Sequence, residues 1–282
     1  MARSGQSLTA DQLCALAATP GAADPGPLVR LRVPRPVDRY DRVGELSRAQ
    51  RVLDLGAYDE TEIDNEHDTS WRWLHAEIAS VAAECLGVDA SEKVRAQGTV
   101  RTPCDTEIVY GTVEQLDHIV ETFKPDLIVA GELVEHTQDT LGWISRLAEL
   151  TPGTRFVATT PNTTSVVNLL LALLGRESCH PDHIQVYSFR TLSTLSGRAP
   201  LHDVSVRPYY YDPHLFRART PRIAVPLVAA ANLVLKGVQY LFPLLSCGLI
   251  LEGTLGPVPA GHYLAAPRSG AEESPTAAGT HR

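Results

Sequence analysis

The chain has 282 residues, 44% hydrophobic and 21% charged, enough apolar side chain to fill the core of one large domain or two small ones. Its 33 acidic residues outnumber 25 basic ones, and the net charge of -8 argues against a general nucleic-acid binder, whose footprint is basic. Cys14, Cys85, Cys104, Cys179 and Cys247 are odd in number and show no CxxC spacing, which fits free thiols in a reducing, cytoplasmic compartment better than a disulfide framework or a zinc site.

The N-terminal stretch MARSGQSLTADQ lacks a basic region followed by an apolar core, so no secretory signal is expected. Residues 9–18 predict a short helix, and TPGAADPGP after them reads as a linker. Between Arg30 and Arg51 arginines alternate with Asp38, Asp41 and Glu45, the pattern of a solvated face. From Arg51 the pattern changes. RVLDLG at 51–56 is a compact apolar run ending in glycine, which predicts a buried strand and a turn. Helical spacing at 71–84 is followed by a strand, CLGVD, at 85–89. EIVYG (107–111) and DLIVAG (126–131) are further strands with a helix between them. An amphipathic helix at 141–150 leads to the strand RFVATTPN, 155–162.

Beyond Asn162 come the helix TSVVNLLLALLG, the segment HPDHIQVYSFRTLSTL, a strand at 203–212 and the final strand CGLILEGTLG. Residues 223–251 are long and apolar, but Asn232, Lys236 and Gln239 interrupt them, with Pro226, Gly237 and Pro243. Polar groups in mid-bilayer are costly, so a buried helix followed by a core strand is expected, with no membrane span. The tail, rich in Ser, Gly, Ala and Glu, reads as disordered.

Five alternations of strand and helix predict an α/β fold, a mostly parallel sheet with helices on both faces. Ligands then bind beyond the carboxyl ends of the strands. Those ends carry Asp54 with Gly56, Asp89, Thr112 with Glu114, Glu132 with Glu135 and His136, and Thr160 with Asn162. A glycine after the first strand and an acid after the second suit an adenosine-containing cofactor. A dinucleotide needs a glycine-rich turn where backbone meets pyrophosphate. Here only Gly56 is followed by Ala57-Tyr58-Asp59-Glu60 and an acidic run, which repels a pyrophosphate but tolerates the cationic S-adenosylmethionine.

With these residues in place, the chain resembles the class I S-adenosylmethionine-dependent methyltransferases, and within them the ubiquinone-biosynthesis type. VLDLG resembles the family's first motif, GVDAS (87–91) its second, GTVEQL (111–116) the stretch flanking adenine, and PDLIVAGELVEH its fourth-strand motif. The segment HPDHIQVYSFRTLSTL resembles the one after strand five. The resemblance implies a Rossmann-like sheet of seven strands, one antiparallel, with an N-terminal extension and linker at 1–44, a methyltransferase domain at 45–256 and a disordered tail at 257–282. It also implies a donor site made by Asp54, Gly56, Ala57, Asp89, Ala90, Thr112, Val113 and Gly131. The family's loop usually has three glycines; this chain keeps Gly56 and has Tyr58 and Glu60 where glycines are common.

On a helical turn after strand four, Glu132, Glu135 and His136 at i, i+3 and i+4 share one face. Two carboxylates and an imidazole there suit magnesium or manganese, with zinc or iron as alternatives, and His180 or His183 offers a further ligand. The small-RNA 2′-O-methyltransferases are similar, with a Glu-x-x-Glu-His set plus a later histidine on magnesium; the Tyr187-Ser188 pair aligns that histidine with His183. Without metal, His136 or His183 serves as general base. The plain alternative is a polar cleft in which the same side chains only cap the next helix. His67, His75 and His118 read as structural.

The expected reaction is O-methylation of a small hydroxylated metabolite, a small-molecule substrate walled in part by PYYYDPHLF at 208–216, with no nucleic acid as partner. A methyltransferase fold that binds without turnover, and an NAD-linked oxidoreductase, are the competing readings.

Overall fold

The computed structural model describes residues 7–19, 28–59, 72–113, 115–210, 221 and 224–256. The acidic run from Glu60, with His67 and Trp71, lies outside them, as do Glu114, residues 211–216 and the tail from 257. Strands are β1 Ser7–Leu8, β2 Arg30–Leu31, β3 Arg51–Leu55, β4 Glu84–Asp89, β5 Thr99–Arg101, β6 Glu107–Tyr110, β7 Leu127–Gly131, β8 Arg155–Pro161, β9 Leu201–Tyr209 and β10 Gly248–Leu255. Helices are α1 Ala10–Ala18, α2 Arg39–Ser47, α3 Leu74–Ala79, α4 Glu92–Gln97, α5 Asp117–Phe123, α6 Thr140–Leu150, α7 Val166–Leu173, α8 Phe189–Arg198 and α9 Val225–Leu241.

The main sheet has eight strands in the order β5-β6-β4-β3-β7-β8-β10-β9. Seven strands are expected from the sequence; the eighth is β5, three residues that pair antiparallel with β6 and are too short to give a periodic signal. β10 runs antiparallel to both β8 and β9, and the pairs from β6 to β8 are parallel. Chain order reverses between β3 and β7, so a crevice opens there beyond the strand ends.

Alternation along β7 shows how the sheet is clad. Leu127 and Val129 pack with Val43 and Leu46 of α2 and Ile78 of α3, while Ile128 and Ala130 pack with helices of the other face. Ala10 and Leu13 of α1 belong to that second cluster with Phe189 and Leu192 of α8, so residues of the N-terminal extension enter the main core. Such strands read as continuous apolar runs because both faces are covered. α3 is shorter than the helical spacing at 71–84 suggests, because the chain turns at Ser80 to enter β4.

The expected buried helix in 223–251 is not buried. In α9 only Gln239 is fully covered, and Leu227, Leu233 and Val234 face outward. Periodicity gives a helix an apolar face but does not say which way that face points. β10, after it, does lie in the core.

Candidate active site

A cavity of about 510 Å³ opens at the crevice beyond β3, β4 and β7. Five of the eight residues expected at the donor line it: Gly56, Asp89, Ala90, Thr112 and Val113. The other three stand behind it. Ala57 is buried, and its carbonyl accepts from Trp73 Nε1 at 3.1 Å. Gly131 ends β7 where an added Cβ would lie 2.6 Å from Leu74 Cδ2. Asp54 is buried, and its Oδ2 lies 2.9 Å from His75 Nδ1.

The loop after β3 is ordered by bonds to its neighbours where the family has glycines. Gly56 takes a positive φ of 75°, and its N–H donates to the Val88 carbonyl at 2.8 Å. Tyr58 N–H then donates to Asp89 Oδ2 at 2.9 Å, and Ser91 N–H donates to Asp89 Oδ1 at 2.8 Å. Asp89 therefore shapes the loop as well as facing the cavity. Burial pushes its carboxyl above the ordinary value.

The turn GELVEH departs from the expected single helical face. Glu132 has φ of 51°, a left-handed conformation, and only Val134–His136 form a 3₁₀ turn. Glu132 Oε1 receives hydrogen bonds from Thr159 Oγ1 at 2.8 Å and Tyr209 OH at 2.9 Å, and Arg39 Nη1 lies 3.3 Å away. Arg39 thus corrects the solvated-face reading of residues 30–51: the Asp38 carboxylate caps α2, and the first helical residue turns inward. Glu132 is committed to this cluster and is not among the three residues whose ligand atoms converge next to it.

Glu135, His136 and His183 do come together, with one ligand atom from each lying within 4.8 Å of the others. His183 Nε2 is 4.0 Å from Glu135 Oε1, and the rings of His136 and His183 meet edge to face at 4.6 Å. His180 borders them, 5.7 Å from His183 between ring centres, with most of its side chain exposed. The 47 residues between Glu135 and His183 are closed by backbone pairing: Ile184 and Gln185 N–H both donate to the Glu135 carbonyl. Gln185 Nε2 donates to the Thr137 carbonyl at 2.6 Å, which pins the same loop again.

Neither carboxylate oxygen of Glu135 has a hydrogen-bond partner among the described residues, although the residue is buried. The hydroxyl of nearby Thr160 lacks one as well. Burial first, then the neighbouring Glu132 charge, pushes the Glu135 carboxyl up to about 8. Burial and the neighbouring imidazoles of His136 and His180 lower the His183 value, which keeps it neutral. A buried, unsatisfied carboxylate costs free energy that a cation would repay. One carboxylate with two imidazoles also suits a divalent metal, so the residues present fit the group.

A second cavity, of about 970 Å³, lies on the other side of this triad. Glu135 and His183 line it, with Thr160 and Asn168 and the apolar Val167 and Leu171 of α7. His136 lines the smaller cavity. Of the tyrosine-rich segment, Tyr209 is buried against Glu132, so it holds that carboxylate and does not wall this space.

Two partners escape the sequence reading. His75 Nε2 lies 2.8 Å from Thr106 Oγ1 while its other nitrogen meets Asp54, so a buried chain links β3, α3 and the segment before β6. An aspartate inside the apolar run RVLDLG is the signal that a partner must exist; nothing local says which histidine. Arg39 is hidden in the same way among other arginines.

A family described as a methyltransferase domain matches residues 29–206. No curated protein matches the chain in sequence. Solved structures similar to it include an S-adenosylmethionine-dependent methyltransferase from Archaeoglobus fulgidus, with 14% identity over 76% of this chain and 94% of that one, TM-score 0.40. Phosphoethanolamine N-methyltransferase 2 of Haemonchus contortus, in complex with S-adenosylmethionine, shows 15% identity over 77% of this chain and 51% of that one, TM-score 0.42. The methyltransferase domain of a bacterial protein, CtHen1-C, shows 16% identity over 78% and 97%, TM-score 0.46. The family match takes in the loop after β3, Asp89, the GELVEH turn and the histidine loop, and with it the NAD-linked and non-enzymatic readings fall away. The chain belongs to the methyltransferase-domain family and is an S-adenosylmethionine-dependent enzyme.

Proposed function

We propose that this enzyme methylates a hydroxyl group of a small metabolite, with a divalent metal at Glu135, His136 and His183. One observation carries the reading: the triad stands between two cavities, His136 on the smaller and Glu135 and His183 on the larger. The smaller, with Asp89 at its rim, suits the donor, whose ribose hydroxyls need an acceptor. The larger then takes the methyl acceptor. S-adenosylmethionine supplies an electrophilic methyl on its sulfonium, and a bound metal supplies positive charge that lowers the pKa of an acceptor hydroxyl.

The chain's own part is alignment. Asp89 fixes the loop beneath the donor through Tyr58 and Ser91. The Glu135 carbonyl, bonded to Ile184 and Gln185, holds the histidine loop over the triad. Thr160 and Asn168 give polar points in a largely apolar acceptor cavity. Holding two reactants in line is where displacement at a methyl group gains most. The resemblance to ubiquinone-type and 2′-O-methyltransferases supports oxygen as the acceptor atom.

Chelation tests this. Methyl transfer to a panel of catechols and polyols should stop after dialysis against EDTA and return with manganese or magnesium, while donor affinity by calorimetry stays constant. Undiminished transfer in the chelated protein, lost on His136→Ala, would assign His136 as a metal-free general base.

A further inference from the structure

Two consecutive threonines of β8 stand against two different glutamates. Successive side chains of a strand point to opposite faces of the sheet. Thr159 lies on the face of Val157, which packs with Val43 and Leu46 of α2, and its Oγ1 donates to Glu132 Oε1 at 2.8 Å. Thr160 turns the other way, to the face of Phe156, Ala158 and Val134, and lines the larger cavity beside Glu135.

Three polar atoms are buried there without a hydrogen-bond partner among the described residues: Thr160 Oγ1 and both carboxylate oxygens of Glu135. Other hydroxyls around the cavity are committed. Thr164 donates to the Leu244 carbonyl at 2.7 Å, Ser178 donates to Asn168 Oδ1 at 2.6 Å, and Ser165 accepts from the Asn168 N–H at the start of α7. A fold seldom leaves buried polar groups unpaired, and a cluster of them calls for a role.

We propose that Thr160 is a positioning residue for the metal reading above, on which this inference rests: its hydroxyl donates to the Glu135 oxygen that a bound cation leaves free. A charge-assisted bond of this kind fixes the carboxylate and presents one oxygen to the ion instead of two. Hydrogen-bond partners of metal ligands set affinity by about ten- to a hundredfold. One-oxygen binding suits magnesium and manganese, which favour a compact octahedral shell. Calcium, larger and with more ligands, readily takes both oxygens of a carboxylate. Thr160 therefore bears on which ion is held as well as on how tightly. In the metal-free protein its hydroxyl has no acceptor, so its desolvation counts against the fold.

The test is calorimetric titration of the full chain with manganese and with calcium, in the absence of donor and acceptor. Thr160→Val replaces the hydroxyl by a methyl of the same shape. It should weaken manganese binding by about tenfold or more and calcium binding less, so that the preference between the two narrows. Metal-free Thr160→Val should melt at or above the wild-type temperature. Thr160→Ser, which keeps the hydroxyl, should restore manganese affinity. Manganese affinity unchanged by the valine, beside a wild type that binds, overturns the proposal and leaves the metal reading standing. Equal losses for the two ions, or a valine variant that melts below wild type, also overturn it, since the hydroxyl then serves the fold. No binding heat from manganese in the wild type removes both readings together.

Discussion

Arg39 Nη1 lies 3.3 Å from Glu132 Oε1, and this pair separates two carboxylates that stand three residues apart in the chain. Glu132 is neutralised by an arginine from α2. Glu135 makes no salt bridge to an arginine; its carboxylate lies 4.0 Å from His183 Nε2, and the Arg39 charge reaches it only from a distance.

Arg39→Met should destabilise the fold by about 1–3 kcal/mol in urea unfolding, less than a fully buried pair because Glu132 is partly exposed. The Arg39 charge also lowers the Glu135 pKa. Its removal should therefore raise the Glu135 titration midpoint, which carboxyl-labelled NMR would follow.

Binding of manganese should depend on pH through Glu135. With the carboxyl at about 8, a cation must displace a proton at neutral pH, so apparent affinity should rise about tenfold per pH unit until about pH 8 and then level. Neutral His183 adds no proton of its own there. Without metal, the folded state holds this proton more tightly than the unfolded chain does. Stability should then fall as pH climbs from 4.5 through about 8. Glu135→Gln should flatten both profiles, read by calorimetry and by thermal melts.

Asp89→Ala should weaken S-adenosylmethionine binding by about tenfold or more, since charge-assisted hydrogen bonds contribute about 1.5–3 kcal/mol. The backbone N–H groups of Tyr58 and Ser91 lose their acceptor at the same time. Asp89→Asn, which keeps one acceptor oxygen, should fall between the two in calorimetry. Unchanged affinity in the alanine variant would place the donor elsewhere.

His75→Ala should cost about 3–5 kcal/mol, because it strands the buried Asp54 carboxylate. Adding Asp54→Asn should recover part of that loss. A double-mutant cycle in urea gives the coupling directly, and simple additivity would mean that the pair is incidental.

How much of this was legible depends on how local each signal is. β3 and β7 are continuous apolar runs, and burial on both faces leaves no other arrangement for VLDL or LIVA. The histidine loop was legible only through resemblance, because 47 residues separate Glu135 from His183 and the closure is made by backbone groups common to every sequence. Glu132 misled for a physical reason: i, i+3, i+4 spacing assumes right-handed backbone, and one residue at φ 51° cancels it. α9 misled for another, since an apolar stripe facing outward has the same periodicity as one facing the core.

The left-handed backbone at Glu132 also sets which mutations the position tolerates. For a residue with a Cβ that conformation costs roughly 1–2 kcal/mol, and Arg39, Tyr209 and Thr159 hold it against the cost. In a saturation library, valine and isoleucine should rank worst at this site whatever their polarity. Glycine and asparagine, which adopt positive φ readily, should outrank glutamine, the closest match in shape. Handedness, more than charge, would then filter the substitutions through which the turn can drift.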